Sequence, residues 1–192
     1  MYSIELMVKE HNYILKLLEV MREACCGILE GQEVNDGDFR QMIAFARNYA
    51  DKYHHGKEEQ ILFKEMLQHL GQVGVNLIQH GMLVEHDLGR LHISQLEKML
   101  DQYMVEPKTE YKVNILAEAI GYANLLQRHI EKENQVVYTY AEKHLSGDTL
   151  QWVDNQVARF EAHAQENEIQ QTYLQSLKEL SEKYLQKIKL HI

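Results

Sequence analysis

Apolar residues recur along the chain at spacings of three and four, the period that gives an α-helix one buried face. The pattern predicts four long helices. The first covers roughly residues 4–30 and ends at Gly31, and the second starts after the polar turn Asn-Asp-Gly-Asp, with Asp36 or Asp38 as N-cap, and runs to about Leu70. The third follows Gly-Gln-Val-Gly and ends near Met104, and the fourth begins after Pro107 and ends near His144. Ser-Gly-Asp then restarts two further amphipathic helices, roughly residues 149–166 and 169–189. The expected fold is all-α: an up-down-up-down four-helix bundle over residues 1–145, with a helical extension over residues 146–192 packed on it.

Composition supports this and narrows the function. One proline and ten glycines in 192 residues suit long helices. A formal charge of −9 argues against nucleic acid and anionic membranes as partners. The longest run without a charged side chain, residues 66–84, carries three glycines and several amides and is too polar to span a bilayer. No leading segment has a signal-peptide layout, and the two cysteines, Cys25 and Cys26, are adjacent, so no disulfide framework is expected. A cytoplasmic protein is the simplest reading.

The stretch from Tyr53 to Phe63, YHHGKEEQILF, holds two overlapping His-x-x-x-Glu pairs, His54/Glu58 and His55/Glu59. Residues four apart share a helix face, so either pair could hold a metal ion from one turn. An internal repeat chooses between them. HHGKEEQILF, from His54, aligns without a gap with HIEKENQVVY, from His129, at an offset of 75 residues. The same offset relates LMVKEH, ending at His11, to GMLVEH, ending at His86. In the second copy Glu133 follows His129, whereas Ile130 and Asn134 replace His55 and Glu59. Helical phase at the ordinary period agrees: His54 and Glu58 share a face with Ile43, Ala50 and Ile61, which places His55 and Glu59 at the flank.

Helical rise puts the repeated residues at one depth. From His11 to its helix end is about 19 residues, and from the next helix start to His54 about 18, each rising about 1.5 Å. His86 and His129 give the same figures. Four imidazoles and two carboxylates, from His11, His54, Glu58, His86, His129 and Glu133, therefore converge in the bundle core. That donor set suits a pair of transition-metal ions rather than calcium or magnesium.

At these residues the sequence resembles the hemerythrin-like (HHE cation-binding) family, which carries His…His-x-x-x-Glu…His…His-x-x-x-Glu/Asp on four helices. The resemblance spans roughly residues 1–145 and implies two iron ions, an oxo- or hydroxo-bridged pair. His11 and His54 would hold one, His86 and His129 the other, and Glu58 and Glu133 would bridge. The oxygen-carrying members place two histidines four apart on the third helix. Here Met82 and Arg90 flank His86 at that spacing, so a fifth histidine is expected to be missing and the site nearly symmetric. This points away from oxygen carriage. The expected function is binding of O2, NO or peroxide in sensing or detoxification. The alternatives are a di-iron peroxidase or oxidase, or an iron-responsive module. A protein partner or a second copy would dock through the C-terminal helices.

Other residues have plainer expectations. Met7 and Met82, beside Ile4, Ile61, Ile78 and Val136, are core filler that could wall a small-ligand pocket. Tyr122 is expected in the core, and His69, His80, His92, His144, His163 and His191 outside the site. Arg22, Arg47, Glu97 and Glu118 fall near the inward phase and are expected to form one buried ionic cluster.

Overall fold

The structure is a computed structural model, described over residues 1–166 and 168–185. All elements among these residues are helical. Helix α1 is Tyr2–Leu29. Helix α2 joins four pieces end to end: Asp36–Phe45, the π-helical segments Ala46–His55 and Glu58–Leu62, and Phe63–His69. Helix α3 comprises Gly71–Leu77, a π-helical turn at Ile78–Met82, and Leu83–Val105. Helix α4 comprises Thr109–Lys132, a π-helical turn at Glu133–Val137, and Tyr138–His144. Helices α5, Gly147–Glu166, and α6, Ile169–Leu185, follow. The expected end near Lys189, like His191, lies outside the described residues.

Local chemistry explains the boundaries. Gly31 has φ of +98°, and the bonds Gly31 N–H to Ile28 O and Gln32 N–H to Gly27 O close the end of α1. The α2 N-cap is Asn35, one residue before the expected Asp36: its side-chain oxygen accepts from the Asp38 amide at 3.1 Å. Gly71, at φ of +54°, turns the chain sharply from α2 into α3, so the helix resumes within the expected Gly-Gln-Val-Gly turn.

Two apolar clusters form the core. One, built around Leu17, Met21, Phe45, Tyr49, Leu96 and Leu126, also takes in Ala164, Leu177 and Leu180 from the last two helices. The other holds Met7, Phe63, Met66, Met82 and Tyr138 together with Val153 and Val157 of α5. Helices α5 and α6 thus pack on α1 and α2 through the same clusters that join the first four helices. Ile4, Met7, Ile61, Ile78 and Met82 are buried as expected, but Val136 is 48% exposed. No helix among the described residues is long and apolar enough to cross a membrane.

The expected four-residue ionic cluster does not form. Arg47 makes a bidentate pair with Glu97, at 2.8 and 2.7 Å, on a half-exposed flank. Arg22 instead bonds Asn124 and Gln127, and Glu118 bonds His92. The cause is phase drift: over eleven residues a helix turns past the inward direction, and long side chains at such positions reach water.

Candidate metal centre

The six residues expected from the repeat do meet. His11, His54, Glu58, His86, His129 and Glu133 are each at most 1% exposed. His11 Nε2 lies 3.2 Å from Glu133 Oε2, and His129 Nε2 lies 3.1 Å from Glu133 Oε1. His54 Nε2 and His86 Nε2 are each 3.6 Å from Glu58 Oε2. Donor atoms fall into two groups, each within 4.8 Å of one another: His11, His54, Glu58 and Glu133, and a second made by His86, His129 and His55.

His55 corrects the sequence reading. It is not at the flank but 4% exposed, and its ring stacks on that of His86 with centroids 3.7 Å apart. The cause is local. Ala46–His55 is π-helical, and the wider i→i+5 turn brings an extra residue onto the inward face, so His54 and His55 both face in. Phase counted at 3.6 residues per turn could not find this. A fifth imidazole is therefore present, supplied from α2 rather than α3, and the centre is asymmetric. Glu59 does sit at the flank, half-buried. Of the three five-residue π segments among the described residues, Glu58–Leu62 and Glu133–Val137 are repeat mates that each begin at a buried glutamate.

A second layer fixes the rings. His11 Nδ1–H donates to Asn134 Oδ1 at 2.8 Å, and His86 Nδ1–H to Glu59 Oε1 at 2.6 Å. His54 Nδ1–H donates to Glu10 Oε2 at 2.8 Å, and His129 Nδ1–H to Glu85 Oε2 at 2.9 Å. His55 Nδ1 faces Asp51 at 3.3 Å. These acceptors are carboxylate or amide oxygens, so each Nδ1 carries a proton and the Nε2 atoms face the interior, where those of His86 and His129 lie 3.0 Å apart. Glu10/Glu85 and Glu59/Asn134 are repeat mates at the same 75-residue offset, a signal present in the quoted motifs. Tyr138 donates to Glu58 and stacks on His11.

The donor set fits metal ions. His54 Nε2, Glu58 Oε2 and both Glu133 oxygens are buried without a hydrogen-bond partner among the described residues. Unpaired buried carboxylate oxygens are costly, and a cation between them satisfies all four atoms at once. In the protein alone, protons take that charge-balancing role. Burial and the neighbouring Glu133 push the Glu58 carboxyl well above its usual range. Burial would raise Glu133 too, but His129, His11 and His86 hold it well below. Burial would lower His129, yet Glu133 and Glu85 push it up to about 9.

The two halves differ beyond His55. Glu10 also receives Lys57, which is fully buried, bonds Glu161 of α5 at 2.6 Å and lies 3.5 Å from the centre of the Tyr53 ring. Tyr53 donates to Glu161 at 2.7 Å, and Gln170 of α6 donates to both. The mate of Lys57, Lys132, pairs with Glu85 but remains 46% exposed. His69, His80, His144 and His163 are exposed, while His92 is half-buried against Glu118.

No curated protein matches the sequence. Residues 2–141, which carry every residue of the centre, match the family model described as the hemerythrin HHE cation binding domain. The helical fold, the buried histidine–glutamate groups and this match agree: the chain belongs to the hemerythrin HHE cation-binding family.

Proposed function

We propose that the chain is a non-heme di-iron protein that binds O2, or a relative such as NO or peroxide, and acts in sensing or detoxification. The first four helices are read as an up-down-up-down bundle, residues 1–145, carrying residues 146–192 as an extension. The observation that supports this most is the orientation of five imidazoles. Each has its Nδ1 turned outward to an oxygen, and two buried glutamates lie among the ring faces that remain. His11 and His54 would hold one iron, His55, His86 and His129 the other, with Glu58 and Glu133 shared. Iron bound there would supply reversible electron exchange and a place for a small ligand.

The remaining groups prepare that place. The half with His11 and His54 offers one imidazole fewer, so a ligand is directed there. Tyr138, whose one O–H is donated to Glu58, stacks on His11 and borders that side. The Met7, Met82 and Phe63 cluster keeps water away. The fifth imidazole removes the sequence argument against carriage. Sensing is favoured by a separate observation: His54 connects through Glu10 and Lys57 to Glu161, so a change at one ligand reaches α5 and α6.

The test is rapid mixing of anaerobically reduced, iron-loaded protein with O2, followed by evacuation, with proteolysis of the C-terminal helices as a second readout. Oxidation that vacuum does not reverse, together with altered cleavage within α5–α6, is expected. Full return of the reduced spectrum with unchanged cleavage would replace sensing by carriage.

A further inference from the structure

A cavity of about 270 Å³ lies between α2 and α3 and reaches the rings of His55 and His86. Its inner wall is Ala46, Ile93 and Tyr122, all members of the first apolar cluster, so it is separate from the Met7 and Met82 side. Gly89 also lines it, close to its neighbours: a Cβ there would stand 3.3 Å from Leu126 Cδ2 and 3.6 Å from the Tyr122 ring. The volume suits a molecule with a single ring, below the usual size of a drug-like ligand.

Three cations, Arg47, Lys52 and Arg90, line the mouth together with Asp51. Arg47 is held by Glu97, and Arg90 by Asp51, Glu59 and Asp87. Lys52 bonds only the Asn48 side chain and has no carboxylate partner among the described residues. Deeper in, the Tyr122 phenol has no hydrogen-bond partner among the described residues; burial and the nearby Asp51 keep it protonated and therefore a donor.

We propose that this cavity binds a small aromatic carboxylate, with the ring inside against Ile93 and Tyr122 and the carboxylate at Lys52. A charged head and a flat apolar body are what an unpaired cation over an apolar slot selects. The cavity is built from protein groups alone, so it does not depend on the metal reading. It adjoins that centre through His55, whose Nδ1 and the Arg90 guanidinium share Asp51.

The test is calorimetric titration of the purified full chain with benzoate and with benzyl alcohol, iron content being measured on the same samples. Benzoate should saturate with Kd below about 1 mM, and benzyl alcohol should bind at least about tenfold more weakly. Lys52→Glu, at an exposed position, should weaken benzoate about tenfold and leave benzyl alcohol unchanged. Ala46→Leu should abolish both, with its fold checked by circular dichroism. No saturable binding up to about 10 mM, or equal affinity for both probes, overturns the proposal. So does undiminished benzoate binding by Lys52→Glu. Benzoate binding by samples without iron would leave the proposal standing, because the cavity is built from protein groups alone.

Discussion

His55 lies parallel to His86, their planes inclined by 7° and their centroids 3.7 Å apart, although their positions in the repeat are unrelated. The imidazole that makes the two halves of the centre unequal thus comes from the helix that already supplies His54 and Glu58. Elemental analysis of purified protein should find about two iron ions per chain in the parent, against about one in His55→Ala, if each donor group holds one ion. Undiminished iron in His55→Ala would restrict the centre to the six repeated residues.

The repeat mates Lys57 and Lys132 should respond differently to the same change. Lys57 is buried between Glu10 and Glu161, so Lys57→Met leaves two carboxylates facing each other and should cost about 3–5 kcal/mol. Lys132 is 46% exposed, and Lys132→Met should cost at most about 1 kcal/mol. Urea unfolding of the two variants reads the difference. Equal costs would mean that the cover provided by α5 and α6 does not set the environment of Lys57.

Replacing Glu10 or Glu85 by Gln keeps the shape but weakens the hold on His54 or His129. Each change should lower metal affinity about 10- to 100-fold, as loss of an outer partner does elsewhere. Competition with a chelator of known affinity measures it.

Tyr138→Phe removes a buried donor to Glu58. Left unpaired, that carboxyl should cost about 1–3 kcal/mol of metal-free stability, seen as a lower urea midpoint with an unchanged slope. No change would show that Glu58 finds another donor.

The neighbouring thiols should separate by rate. Cys26 is exposed, whereas Cys25 is buried and its thiol is pushed up to about 12, chiefly by burial and then by Cys26. One thiol per native chain should react with iodoacetamide near pH 8, and two after denaturation. Mass spectrometry of the modified peptide should place the native label on Cys26.

Much of this protein was legible in one sequence. The 3.6-residue period marks the helices, because burying one face of a helix demands it. The 75-residue offset brings His11, His54, Glu58, His86, His129 and Glu133 to one level, since equal helix lengths out and back are a matter of rise alone. The outer acceptors Glu10, Glu85, Glu59 and Asn134 were also within the repeated motifs, although nothing local said which ring each would meet. Tertiary structure decided the rest. His55 turned inward because Ala46–His55 winds as a π-helix, a departure from the period on which the phase argument stood. Lys57 and Lys132 stand in matching positions, yet only one is buried, because α5 and α6 cover one half of a two-fold motif. Arg22 and Glu118 left the expected cluster because a few tens of degrees of helical drift decide whether a long side chain meets a partner or water. Periodicity fixes which residues share a face; the packing of other elements on that face decides how wide it is.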